Sequence, residues 1–135
     1  VSFGVDTSVL VRLLVGEPAA LASKARERLL AVHRLGQPVF VSDLVIAEAY
    51  YALKFHYGSA PEDVRRSLLA MLTSGLIQPE PGSAVLAVLA VLQSKIGGKA
   101  GFVDRLIQAR YEADGLTTLT LDRAQAKLGD VEFLG

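Results

Sequence analysis

Cysteine is absent from the 135 residues. Disulfides and thiolate metal sites are therefore excluded, and the composition fits a reducing cytoplasm, the expected compartment. Net charge is absent as well, with fourteen Lys and Arg against fourteen Asp and Glu. Whole-molecule attraction to nucleic acid is not built in, and a polyanion would have to meet a local basic rim. The stretch AVLAVLAVLQ, Ala84 to Gln93, is too short to span a bilayer. The N-terminal run contains Asp6 and Arg12 and has neither the charged start nor the cleavage site of a secretory signal. No membrane partner is expected. What is abundant is apolar side chain, 51% of residues, enough at this length for one domain with a sizeable core, expected over residues 1–135.

Turn and cap signals cut the chain into alternating strands and helices. A strand near Ser2–Val5 precedes a short helix, capped by Thr7 or Ser8, that ends before Pro18. PAALASKARERLLAVHRLG repeats Leu21, Ala25, Leu29 and Val32 at helical spacing and stops at Gly36. PVFVS reads as a strand, and Ser42 or Asp43 caps a helix from Leu44 to about Tyr57. SAPE, Ser59 to Glu62, reads as a capping box opening a helix that ends at Gly75. A brief strand LIQP is followed by a helix from Ser83 to Gly97 and Gly98, and by another from about Phe102 to Gly115. TTLTL is a strand, and a short helix and VEFL finish the domain. The alternation predicts an α/β protein, a three-layer α/β/α sandwich around a central parallel sheet of four to five strands. Sites in such sheets lie at the carboxyl ends of the strands.

Asp6 follows VSFGV and Asp122 follows TLTL, so two strands deliver carboxylates to that rim. Either aspartate also reads as a helix cap, accepting amide hydrogen bonds at a helix N-terminus. Glu48 lies in LVIAEAYYALKF with Leu44, Val45, Tyr51 and Ala52 as same-face neighbours, which places it on an apolar face. Buried there, it needs an arginine partner or a bound cation. Asp104 stands in the first turn of FVDRLIQARYEADG, off the stripe of Phe102, Leu106, Ala109 and Ala113. It either complements the helix dipole or joins the other acids. Converging carboxylates repel unless a cation neutralises them, and a hard divalent ion with oxygen ligands does so. Mg2+ or Mn2+ held there would activate water beside a phosphodiester, which is metal-dependent nuclease chemistry.

In order and spacing, VDTSVLVRLL, VIAEAYYAL, FVDRLIQARYEADG and TLTLDRAQAKL resemble the four acidic blocks of PIN-domain nucleases, especially the VapC-type toxin ribonucleases of toxin–antitoxin pairs. DTS near the start, a mid-helix glutamate, and an aspartate followed eighteen residues later by the last residue of T-x-D make up the set. The resemblance implies a PIN-like fold, an endoribonuclease, and a pocket of Asp6, Glu48, Asp104 and Asp122 that holds Mg2+ or Mn2+. It also implies Ser8 and Thr120 as polar supports, RNA as substrate, a cognate antitoxin protein as partner, and a homodimer. Two departures stand out. Gly101 occupies a position where many relatives carry a further acid, and LDRAQ lacks the aromatic often found after the last aspartate.

Among the remaining features, Arg12, Lys54, Arg105, Arg110 and Arg123 lie in or near the acidic blocks and are either phosphate contacts or solvated charges. His33 and His56 have no second histidine at ligand spacing. Tyr50, Tyr51 and Tyr57 offer either packing or base stacking. GGKAG lacks the ending of a P-loop and reads as a connection. Two other functions compete with the nuclease. One is a non-catalytic PIN-like binding module. The other is a phosphoryl-acceptor receiver domain, which needs an acidic pair near the first strand that Asp6 does not have.

Overall fold

A computed structural model of the chain describes residues 1–94 and 101–135. The chain forms two compact units, Val1–Glu80 and Pro81–Gly135. In the first, β1 (Phe3–Gly4), β2 (Val39–Val41) and β3 (Gln78–Pro79) make a parallel sheet in the order β1-β2-β3, with Phe3 opposite Val39 and Phe40 opposite Gln78. Parallel neighbours need long crossovers, and helices supply them. α1 (Thr7–Val15) and α2 (Ala19–Arg34) join β1 to β2, while α3 (Asp43–Phe55) and α4 (Pro61–Thr73) join β2 to β3. All three strands therefore end on one edge of the sheet.

The core of this unit is Leu10 from α1, Val41 from β2, Ile46 and Ala49 from α3, Leu68 from α4, and Ile77, all essentially closed to solvent. Burial of each larger side chain contributes about 1.5–3 kcal/mol. α1 packs against both α2 and α3, and α3 against α4. α1 ends at Gly16, whose left-handed φ of +76° turns its N–H back to the Arg12 carbonyl. In α2 only the second half of the expected stripe is buried, Leu29 and Val32, whereas Leu21 is exposed.

Two expected caps differ. The N-cap of α1 is Asp6 rather than Thr7 or Ser8. The capping box at Ser59–Glu62 does not form, because α4 begins at Pro61 with Ala60 as its N-cap and no side-chain cap bond. Ser59 thus stands one residue too early, and the first turn is favoured instead by Pro61, Glu62 and Asp63.

In the second unit, α5 (Val85–Ser94) packs against α6 (Phe102–Ala113), burying Val85, Val88, Leu89, Phe102 and Leu106. β4 (Thr118–Thr120) and β5 (Val131–Phe133) pair in parallel, with Thr118 opposite Val131, and a single 3-10 turn, Gln125–Lys127, lies between them. β4 buries Thr118 and Thr120 and exposes Leu119, the reverse of the usual pattern. The helix end expected at Gly97 and Gly98, with most of GGKAG, lies outside the described residues.

The α/β class and the parallel strands are as the sequence predicts. The five strands found among the described residues stand in sheets of three and two. Each is only two or three residues long, and Pro79, lacking an N–H, closes β3.

Candidate active site

Asp6 leaves β1 in extended conformation and caps α1. Its Oδ1 accepts both the Val9 amide at 3.1 Å and the Ser8 hydroxyl at 2.6 Å. The Ser8 hydroxyl, with the Val9 amide next, holds the Asp6 carboxyl below its usual range against an opposing contribution from desolvation. Both bonds fall on the same oxygen. Asp6 is exposed.

Glu48, in the middle of α3, is a correction to the sequence reading. It is exposed rather than embedded, and among the described residues it forms no ion pair. Ile46, Ala49, Tyr50 and Leu53 are the residues that α3 turns inward. Its other face carries Glu48 with Leu44 at 71% and Phe55 at 70% exposure. α3 is apolar nearly all round, so periodicity alone did not reveal which face was the outer one. Since α1 and α3 pack together, the first unit carries Asp6 and Glu48 on touching helices.

Sequence reasoning missed two further acids on this sheet edge. Asp43 follows β2 and Ser42, and Glu80 follows β3 directly. Oε1 of Glu80 accepts the Asp43 amide at 3.1 Å, and the Glu80 amide bonds the Val41 carbonyl. Ser42 caps α3 through the Val45 amide. Each strand of the parallel sheet thus runs out to a carboxylate. The signal was present in VFVSD and LIQPE, which repeat the strand-then-acid pattern that singled out Asp6.

In the second unit Asp104 occupies the first turn of α6, whose N-cap, Gly101, makes no side-chain cap bond. Asp122, exposed beyond β4, accepts the Ala124 amide on Oδ1 at 2.8 Å. Thr120, buried at the end of β4, takes the Asp122 amide on Oγ1 at 3.0 Å and donates to Oε1 of Gln125 at 3.2 Å. Nε2 of Gln125 reaches the Asp104 carbonyl at 3.4 Å. The Asp104 and Asp122 turns are thereby tied together by Thr120 and by Gln125, a residue that sequence reasoning did not single out.

Residues 4–131 match the sequence profile of the PIN domain. The chain belongs to the PIN domain family. PIN domains are generally nucleases that use divalent metal ions, and RNA is the substrate class they suggest. No curated protein and no solved structure matches the chain significantly.

The donors this PIN chain offers suit such an ion. Asp6, Glu48 and Asp122 present exposed carboxylates, and hard oxygen ligands match Mg2+ or Mn2+. Within each unit, among the described residues, no three Asp, Glu or His side chains form a ready-made metal cage. No helix among the described residues is long and apolar enough to cross a membrane.

Proposed function

We propose that this PIN domain chain is a metal-dependent endoribonuclease, the toxin half of a VapC-type toxin–antitoxin pair, acting in the cytoplasm as a single domain over residues 1–135. Asp6, Glu48, Asp104 and Asp122 supply the carboxylates that hold Mg2+ or Mn2+, with Ser8 and Thr120 fixing Asp6 and Asp122. The observation that carries this reading is the carboxylate edge of the parallel sheet. Asp6, capped by Ser8 and Val9, Asp43 and Glu80 each follow a strand of that sheet. Carboxylate oxygens delivered to one strand edge are the donor class that a hard divalent ion takes.

When bound, the ion supplies charge neutralisation and an activated water for attack on a phosphodiester. The chain's own residues do the rest. The Ser8 hydroxyl fixes Oδ1 of Asp6, and the Ala124 amide fixes Oδ1 of Asp122. An open cavity of about 320 Å³ in the second unit carries Arg105, Gln108 and Lys127 on a largely apolar lining that includes Val88, Val91 and Leu128. Its two cations are suited to the phosphates of a strand that the net-neutral chain does not otherwise attract. An unpaired strand can splay its bases and bend its phosphodiesters toward the acids, whereas a duplex holds a regular backbone, so unpaired or looped RNA is the preferred substrate. The stacked Tyr51 and Phe55 at the C-terminal end of α3, beyond Glu48, suit a second copy, and an antitoxin peptide covers the acids.

The test uses chelator-stripped protein with single-stranded RNA and with its perfect duplex. Cleavage is expected to vanish on stripping, to return with Mn2+ or Mg2+, and to favour the unpaired strand. Full cleavage by metal-free protein overturns the mechanism, and equal cleavage of both substrates overturns the strand preference. A folded, metal-loaded chain with no activity on either supports the non-catalytic binding module. For the toxin role, a small protein encoded beside this gene should bind the chain and stop cleavage.

A further inference from the structure

Gln125 opens the 3-10 turn three residues after Asp122, and both ends of its side chain are used. The direction of every bond in the series is fixed. The Asp122 amide donates to Thr120 Oγ1, that hydroxyl donates its one proton to Gln125 Oε1, and Gln125 Nε2 donates to the Asp104 carbonyl. Turning the amide over would set its oxygen against the Asp104 carbonyl oxygen, so the bond to that carbonyl selects one orientation and the Thr120 hydroxyl, facing Oε1, is the donor. Thr120 is only 8% exposed. Leaving its hydroxyl or the amide unpaired would therefore cost the desolvation of a buried polar group.

We infer that Gln125 is a positioning residue of the nuclease site. Through this relay it sets the first turn of α6, and with it Asp104, against the turn that carries Asp122. The inference rests on the metal-dependent nuclease reading. Gln125 touches neither metal nor RNA in this role. It acts by fixing the separation of two carboxylates whose ion tolerates little misplacement, as supporting residues of metal sites do.

Gln125→Met keeps the length of the side chain and removes both bonds, and Thr120→Val cuts the same relay one link earlier. Both variants, their combination and the wild type are compared in three measurements. These are Mn2+ uptake followed by the electron-spin signal of free Mn2+, kcat and KM for single-stranded RNA, and thermal melting in EDTA. Each single variant should bind Mn2+ about tenfold more weakly and lose kcat about tenfold, with KM for RNA unchanged. The double variant should lose no more than the worse single, because one broken link already opens the relay.

A merely structural Gln125 would lower the melting temperature and leave Mn2+ affinity and kcat per folded molecule intact, which overturns the inference. A wild type that takes up no Mn2+ and cleaves no RNA overturns the nuclease reading and this role together. An active, Mn2+-binding wild type matched by Gln125→Met overturns the role alone. If Gln125→Met does not fold, Thr120→Val with wild-type Mn2+ affinity overturns it equally.

Discussion

The Ser8 hydroxyl donates a 2.6 Å hydrogen bond to the same Asp6 oxygen that takes the Val9 amide. Ser8 is thus the largest cause of the lowered Asp6 pKa. A carboxyl whose folded pKa lies below its unfolded value adds stability above the ordinary aspartate range and loses it as pH falls through the lowered value. Asp6 is fully exposed, so the effect belongs to the acid end of the activity profile more than to stability. Ser8→Ala should move the acidic limb of the cleavage pH profile to higher pH and reduce metal affinity about 10–100-fold. A profile that keeps its acidic limb in place would separate Ser8 from Asp6 in function.

Asp122 has two tasks that substitution can pull apart. Asparagine retains an Oδ1 that accepts the Ala124 amide and loses the charge, whereas alanine loses both. Asp122→Asn should melt like the wild type yet cleave RNA at least about a hundredfold more slowly. Asp122→Ala should show the same catalytic loss together with about 1 kcal/mol of destabilisation from the lost hydrogen bond. Activity of Asp122→Asn near the wild-type level would leave only the turn bond to the Ala124 amide.

The sequence made most of the chain order legible because strand and helix signals here are local. Gly16, Pro61 and the alternating apolar runs mark their boundaries without help from the rest of the molecule. What it did not disclose depends on contacts between distant segments. The outward face of α3 is decided by which side meets α1 and α4, and nothing in LVIAEAYYALKF encodes that, so Glu48 read as buried. Gln125 has no significance until β4, the 3-10 turn and the start of α6 come together. Asp43 and Glu80 were legible in principle, since each repeats the strand-then-acid pattern, but the reading of Asp43 as a helix cap, a part that Ser42 takes, and the brevity of β3 hid them.

Exposure of Glu48 changes the expected outcome of Glu48→Gln. A buried ion pair losing one partner costs about 3–5 kcal/mol, whereas an exposed side chain without an ion pair among the described residues should change stability by no more than about 0.5 kcal/mol. In EDTA the variant and wild type should therefore melt together. With Mn2+ the variant should gain less, as one ligand has lost its charge. Full retention of the Mn2+ shift would remove Glu48 from the metal set.

The C-terminal end of α3, beyond Glu48, bears on assembly. Tyr51 and Phe55 stack there at 5.9 Å with an interplanar angle of 17°, both exposed. Aromatic anchors of this kind dominate interface energies. If a second copy covers them, Phe55→Ser should weaken the dimer by about 2 kcal/mol or more without lowering the stability of the monomer. Sedimentation over a concentration series would read this, and a variant as dimeric as the wild type would place the interface elsewhere.

Gly101 is the N-cap of α6, with φ −73° and ψ 173°, extended backbone that any residue adopts, and a Cβ there meets no atom of the described residues within 4 Å. Aspartate therefore fits without strain at the position where PIN relatives often carry an acid. In EDTA two small effects oppose each other. Capping gains a few tenths of a kcal/mol over glycine, and repulsion from Asp104, three residues on, costs about the same. The melting temperature of Gly101→Asp in EDTA should thus stay near that of the wild type. Mn2+ should separate the two proteins, because the ion turns the repulsion into an additional ligand. A tenfold gain in affinity at saturating metal appears as about 1.4 kcal/mol of extra stabilisation. A variant that melts higher in EDTA and shows an unchanged Mn2+ shift would assign position 101 to capping alone, and the absence of an acid there would then have no bearing on the metal.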